Sequence, residues 1–248
     1  MVGSSIAIGG SGFSSLNSLQ NFDFDLLKID MDFLRHANEK TPIILMDVID
    51  MAKRLNIETL AEGVEEKEEY DFLHELGCVL TQGYYFSKPR PKEELAQVIA
   101  EKQLEYETPD EHFFYRKIGK VNVLNASYPF SEENERPSSQ TLPVTILLVK
   151  DDVYQTIYAN KTSKDGVKYL GVETMAEANL LINDPSKPFF SQIQTLLHRA
   201  EQKKGVAESN FVAPHYLGKM KAKLIAVNGD TRAYLVSCQD YTLGNVGL

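Results

Sequence analysis

Hydrophobic and polar positions divide the chain into three stretches with different rhythms. From residue 1 to about 105, short apolar runs alternate with segments of helical spacing. Ser5-Ile6-Ala7-Ile8 reads as a buried strand. A Gly-Ser loop follows, and a short helix is expected from about Ser14. Leu26 to Ile29, Ile57 to Ala61 and Val79 to Tyr84 read as further strands. Between them, Thr41 to Leu55 has a helical period, with Ile44, Val48, Met51 and Leu55 on one face. Thr41 is an N-cap candidate, Pro42 suits the first helical position, and Lys53 and Arg54 suit the last turn. Glu66 to Leu76 reads as a helix stopped by Gly77, and Pro91 opens a last helix to about Gln103. Strict alternation of strand and helix predicts parallel strands with helical crossovers.

Residues 106–141 change character. Tyr106 to Glu111 is polar, His112 to Asn125 has strand-like alternation, and Ser131 to Gln140 is rich in Ser, Glu and Pro, the composition of a linker. Beyond them, Val144 to Val149 and Gln155 to Ala159 read as strands around an Asp151-Asp152 turn. Pro188 opens a helix with Ile193, Leu196, Leu197 and Ala200 on its apolar face, ended by Gly205. Strands are expected at 206–214, 219–227 and 232–238, the last two joined at Asn228-Gly229-Asp230. The expected division is 1–105, a linker over 106–141, and a small α+β domain over 142–248.

Composition narrows the function classes. The net charge of -9 argues against long DNA or RNA as a ligand, since gripping phosphates needs a basic face. No apolar run is long enough to cross a bilayer, and no secretory signal opens the chain. Cys78 and Cys238 lie far apart in apolar stretches, without metal-type spacing, and read as reduced core thiols. The expected location is the cytoplasm. The histidines His36, His74, His112, His198 and His215 show no ligand spacing.

Candidate chemistry gathers where expected strands end: Leu27-Lys28-Ile29-Asp30, Ala61-Glu62-Gly63-Val64-Glu65, and Gln82-Gly83-Tyr84-Tyr85-Phe86-Ser87-Lys88-Pro89. In a β/α barrel the C-terminal strand ends build the active site, so a lysine, a carboxylate and an amide could converge on one ligand. Glu65, Glu66, Glu68 and Glu69 read as the acidic, capped start of a helix.

These segments, in this order, resemble the last part of the EAL family of cyclic-di-GMP phosphodiesterases. Gly10-Ser11-Gly12-Phe13-Ser14-Ser15-Leu16 resembles that family's Gly-Thr-Gly-Tyr-Ser-Ser-Leu loop. The resemblance covers residues 4 to about 100. It implies part of a TIM-like barrel that hydrolyses cyclic di-GMP with two Mg or Mn ions. By resemblance, Lys28 matches the lysine that helps activate the attacking water. Glu62 matches the carboxylate that supports the metal-water cluster, and Gln82 matches the glutamine that orders the same shell. Lys28, Gln82, Tyr85 and Lys88 are the candidate ligand-binding residues. Lys28 reads equally as a half-buried lysine paired with Glu62, and Tyr84 to Phe86 read as groove packing.

The chain also departs from the family. An adjacent aspartate pair precedes the glycine loop in the family, whereas Ala7 and Ile8 stand there without a gap, or two residues are deleted. The chain begins after the Glu-Ala-Leu motif and the other upstream ligands, and Asp30 and Asp32 match no main metal ligand. Two-metal hydrolysis needs several oxygen donors. The expectation is therefore a degenerate site with no metal ligands and no cofactor as it stands, Mg or Mn applying only if the activity were intact. A working phosphodiesterase completed by upstream sequence or a partner chain is one alternative. A sensor or dimerisation module with the barrel remnant as scaffold is the other. The last stretch resembles a PAS domain more weakly, through Tyr158-Ala159-Asn160 and a signal-output motif, Gln239-Asp240-Tyr241-Thr242, expected after the last strand. Four barrel strands leave two open edges, so a homodimer, or the segment His112 to Asn125 folding back, is expected to cover them.

Overall fold

The computed structural model describes residues 4–8, 14–32, 40–78, 80–101, 106–124, 142–203, 205–213 and 216–242. It divides into two units, Met1–Lys120 and Val121–Leu248. Among the described residues, no helix is long and apolar enough to cross a membrane. The Gly9–Phe13 part of the glycine loop, the Ser131–Gln140 stretch, His36 and His215 lie outside the described residues.

The first unit is a parallel sheet of four strands in the order β1-β2-β3-β4, namely β1 (Ser5–Ile8), β2 (Leu26–Asp30), β3 (Glu58–Glu62) and β4 (Leu80–Gln82). Its helices are α1 (Ser14–Asn21), α2 (Thr41–Arg54), α3 (Lys67–Glu75), α4 (Lys92–Glu101) and α5 (Pro109–Gly119). The expected strand-helix alternation and parallel sense both hold up to α4. Leu27, Ile29, Thr59 and Ala61 make the buried face of the two central strands, and α2 and α3 bring Leu45, Ile49, Ala52 and Leu73 to the core. The Glu69 carboxylate accepts the Glu65 and Glu66 amides at 2.7 and 3.2 Å, and Gly77 takes φ 76° beyond α3. The acidic run is therefore a helix start, as its composition indicates.

Two expectations need correction. Helix α2 starts at Thr41 with Lys40 as its N-cap, and it buries Leu45, Ile49 and Ala52 instead of the stripe through Ile44 and Leu55. Ile44 is 45% and Leu55 52% exposed. From Ile43 to Ala52 only Asp47 and Asp50 are polar, so periodicity permits two neighbouring stripes and only docking on the sheet chooses between them. The second correction concerns His112 to Asn125, whose described residues contain most of a helix and no added strand. Thr108 caps it, its hydroxyl accepting the Glu111 amide at 3.2 Å while Glu111 accepts the Thr108 amide at 2.8 Å. With Pro109 in the first turn, this capping box outweighs the alternation downstream. Phe114 and Ile118 are its buried positions.

The second unit is a five-stranded antiparallel sheet in the order β6-β5-β9-β8-β7. Its strands are β5 (Val144–Lys150), β6 (Val153–Ala159), β7 (Val206–Ala213), β8 (Tyr216–Asn228) and β9 (Thr231–Thr242). Between β6 and β7 run α6 (Lys161–Gly166), a 3-10 turn (Val167–Leu170), α7 (Met175–Ile182) and α8 (Pro188–Lys203). The β5–β6 turn puts Asp151 and Asp152 at φ 51° and 58°, the sign pattern of a type I′ turn. The β8–β9 turn uses Gly229 at φ 55° between Asn228 and Thr231, which are paired. The expected helix face is the buried one: Ile193, Leu196, Leu197 and Ala200 of α8 join Leu147, Tyr154, Phe211, Met220 and Val236 in one core. Gln239–Thr242 does not follow the last strand but belongs to it, because β8 extends far enough for Leu217 to pair with Thr242. Asn160 accepts the Val144 and Ser163 amides at 3.1 and 2.9 Å and donates to the Leu142 carbonyl at 2.8 Å, joining strand ends to helix start.

Helix α5 is held to the first unit by two cations. Arg116 Nε donates to Glu58 Oε1 at 2.8 Å. Lys53, buried on α2, donates to the Gly119 carbonyl at 2.6 Å and so supplies one of the partners that the end of α5 lacks. Burial lowers the Lys53 ammonium to about 8 from 10.5, and it raises the neighbouring Cys78 thiol above 9.0. Below pH 8 the buried ammonium is charged, and its lost hydration opposes folding in full. As pH rises through 8, the folded chain releases a proton that the unfolded chain keeps to about 10.5, so this group adds stability with rising pH. Above 9 the Cys78 thiol works in the opposite direction. We therefore expect urea denaturation followed by circular dichroism to show a gain of about 1 kcal/mol from pH 8 to 9 relative to Lys53→Met. Equal pH slopes for the two proteins would refute the assignment.

Candidate active site at the strand ends

Parallel register decides which side chains meet here. Lys28 pairs with Leu60, and Asp30, Glu62 and Gln82 stand in one row across β2, β3 and β4. Residues two apart share a face, so Lys28, Glu62 and Gln82 belong to the face opposite the buried Ile29 and Ala61. Lys28 Nζ reaches up to Glu62 Oε1 at 2.7 Å. The lysine and glutamate side chains are 36% and 35% exposed, so this pair contributes at most about 1 kcal/mol to stability. On the other side, Ala7 of β1 is the register partner of Lys28. A methyl group therefore stands beside the ion pair; in the alignment without a gap, this is a position where the resemblance implies a carboxylate.

Backbone contacts hold the row in place. The Gln82 carbonyl accepts the Gly63 and Val64 amides at 2.8 and 3.0 Å, and Gly63 takes φ 85° to turn away from β3. The next residue, Gly83, passes so close to Val64 that a Cβ there would lie 2.0 Å from the Val64 oxygen and 2.3 Å from its nitrogen. The obstacle is main chain, which no rotamer change can move aside.

Tyr85 and Lys88 belong to the turn beyond β4 and have partners of their own. The Tyr85 amide donates to the Val64 carbonyl at 3.0 Å, and its ring stacks on Tyr70 of α3 at 5.5 Å between centroids. Phe86 meets both rings edge-on, and Tyr70 also stacks on His74 at 6.0 Å. Lys88 Nζ lies 5.9 Å from the Tyr84 ring centroid. Lys28, Glu62 and Gln82 are thus brought together, whereas Tyr85 sits in an aromatic group centred on Tyr70 and Lys88 lies against Tyr84. Nothing in the motif spacing marks Tyr70 or His74; the i, i+4 interval on a short helix is their only signal.

The metal pair implied by the resemblance needs several oxygen donors pointing at one place. Glu62 carries an ammonium on one oxygen, and Asp30 Oδ1 accepts the Asp32 amide at 2.9 Å. Among the described residues, no three His, Cys, Asp or Glu side chains are grouped to hold a cation. The described residues do not make up the donor set of a two-metal centre.

Residues 2–89 match the EAL domain. The EAL segment is 40% identical over 96 residues to the oxygen sensor protein DosP of Escherichia coli, covering 38% of this chain and 12% of that protein. It is 39% identical over 95 residues to the probable cyclic di-GMP phosphodiesterase PdeG of Escherichia coli, covering 38% and 19%. The chain therefore spans less than a fifth of these curated relatives. A solved structure of Klebsiella pneumoniae BlrP1, a complex with manganese and cyclic di-GMP, is 36% identical over 34% of this chain and 22% of that one, with a TM-score of 0.32. The EAL segment thus has cyclic-di-GMP phosphodiesterases among its relatives.

The Gly83 contact gives a direct test of the strand-end geometry. Gly83→Ala should lower stability by about 1–3 kcal/mol in urea denaturation, because the added methyl forces main chain apart between β3 and β4. A midpoint equal to wild type would mean that the Val64 backbone yields freely.

Proposed function

We propose that this chain is a signalling protein related to cyclic-di-GMP phosphodiesterases, in which the EAL segment is catalytically degenerate and serves a regulatory or interaction role. One observation carries the reading: Ala7 stands beside Lys28 in register while Lys28 is paired to Glu62. A lysine whose charge is shared with a carboxylate, with no further acid beside it in β1, has lost the company that would turn a water into a nucleophile. It can still meet a phosphate. Lys28 and Gln82 would contribute to such a contact at the row, and Tyr85 and Lys88 from the turn beyond it. Each would act as one polar or charged contact, with Glu62 competing for Lys28.

The second unit supports a PAS-like reading through its strand order, β6-β5-β9-β8-β7, with the helices placed between β6 and β7. Asn160 of the Tyr158-Ala159-Asn160 motif caps the start of α6, its side chain accepting the Ser163 amide, which also supports that reading. A second copy of the chain would cover the outer strands β1 and β4 of the first sheet, where Leu80 is exposed.

Purified chain with Mn should therefore give no hydrolysis of cyclic di-GMP; turnover near 1 per second, the range of working enzymes, would overturn the reading. In calorimetry, Lys28→Ala should weaken any dinucleotide binding by less than about tenfold, since without metals the lysine is a single point charge. Light scattering at micromolar concentration should report twice the 27.9 kDa chain mass. A monomer whose β1 and β4 amides resist hydrogen exchange would refute the dimer.

A further inference from the structure

Among the described residues, α2 and α3 bury one face of the first sheet, through Leu27, Ile29, Thr59 and Ala61. The opposite face reaches solvent. Ser5, Ala7, Asp30 and Gln82 are exposed there, Leu26 and Leu60 are half-buried, and Leu80 is 37% exposed. Purely parallel sheets occur almost only with both faces covered, so this face calls for a partner surface. Register gives its pattern: Leu60 and Leu80 share a row with Lys28, one step below Asp30, Glu62 and Gln82. At the far end Glu58 is already paired with Arg116 at 2.8 Å, so no free carboxylate of β3 would be enclosed beneath the leucines.

The sense of the edges selects the partner. The outer strands β1 and β4 belong to one parallel sheet of four. A two-fold axis along the strands sets β4 of one copy beside β1 of the other in the parallel sense, and does so twice. An axis across the strands would pair β1 with β1, or β4 with β4, and leave one edge of each copy open. A single added strand would also serve one edge alone. Two copies make eight parallel strands, the number at which a barrel interior is just filled by side chains.

We propose that two copies of this chain close one eight-stranded barrel, each pairing its β4 with the partner's β1, so that both Lys28–Glu62–Gln82 rows meet at a single mouth. Every strand runs the same way, so all the strand ends that carry these residues lie on one side. Each row brings its lysine already matched to a glutamate at 2.7 Å, which limits repulsion between the copies. Leu26, Leu60 and Leu80 of both copies fill the interior below. The proposal rests on the reading of the first unit as an EAL segment whose outer strands a second copy covers, and it adds which edges meet and in what register. A barrel of eight strands carries a shear of eight residues, four for each copy. With the right-handed coil of such barrels, rows step back toward the strand starts on crossing a copy. Leu80 stands in the row of Ala7, so Gln82, two residues on, comes opposite the partner's Ser5.

The test is disulfide trapping in the full chain with Cys238→Ser, Cys78 being buried and left in place. Neighbouring strands lie close enough for a disulfide, whereas β1 and β4 of one copy are three strand spacings, about 14 Å, apart. Mild oxidation of Ser5→Cys/Gln82→Cys should therefore give mostly covalent dimer on a non-reducing gel, with the 5–82 link found by peptide mass spectrometry. Ser5→Cys alone and Gln82→Cys alone should stay uncrosslinked. A single variant that links to itself, a link within one chain, or no 5–82 link in the double variant would overturn the closure. Light scattering separates this from the parent reading: a dimer without the 5–82 link removes the barrel and keeps a second copy on the edges. Hydrolysis of cyclic di-GMP would remove the degenerate site and leave the closure to the trapping result. Both substituted side chains are exposed, and the Gln82 carbonyl keeps its two bonds in the variant, so the variants retain the fold.

Discussion

The parallel register of β1 to β4 is the constraint on which the candidate site depends. Hydrogen bonding between strands fixes which residues stand side by side, and the two-residue period fixes which of them share a face. Asp30, Glu62 and Gln82 form one row, and Ala7 and Lys28 stand beside each other, for that reason alone. A slip of one residue would turn Lys28 and Glu62 to the helix-covered face and bury two charges. The register is itself held by details at the strand ends. The Gln82 carbonyl takes two amides from the turn after β3, and Gly83 lets the two main chains pass within a distance that a methyl group would prevent.

A second constraint runs through both units: a polar group taken out of water must find a partner. Lys53 finds the Gly119 carbonyl and Asn160 finds three backbone groups. Asn179 and Asn183 of the α7 segment bond β6, where the Asn183 side chain accepts the Tyr154 amide at 2.8 Å and returns a bond to the Tyr154 carbonyl at 2.7 Å. Tyr234 donates to Glu201 at 2.9 Å, and burial together with that bond holds its phenol well above the usual range. In each case the bond also fixes an element: α5 to α2, α6 to β5, α7 to β6, and α8 to β9. Among the described residues, Ser237 Oγ is a buried side-chain oxygen with no partner. It shares a strand face with Leu235 and marks where the packing of β9 leaves a hydroxyl unserved.

Much of this was legible in the residues themselves. Alternating apolar runs and helical spacings placed the four parallel strands, and Gly77, Pro188 and the Asn228–Asp230 turn marked element ends correctly, because these signals are local. The strand-end motifs singled out Lys28, Glu62 and Gln82, and the fold puts those three on one face. Local signals fail where two patterns overlap. Helix α2 offers two apolar stripes, and only contact with the sheet selects Leu45, Ile49 and Ala52. In α5 the alternation suggested a strand, while the capping box at Thr108 and Glu111 nucleates a helix. The end of β9 could not be read at all, since its last residues are strand only because β8 is long enough to pair with them.

By itself, then, the order of residues determined the strand and helix types, the parallel sense of the first sheet and the set of residues at its strand ends, because period, turn chemistry and motif act over a few neighbours. Only the tertiary structure decided that Lys28 spends its charge on Glu62, that Ala7 stands beside that pair, that Tyr85 stacks on Tyr70, and that the Thr145 and Ser163 hydroxyls meet. Each of these joins residues from separate elements, and their meeting depends on register and packing, which no stretch of the chain encodes alone.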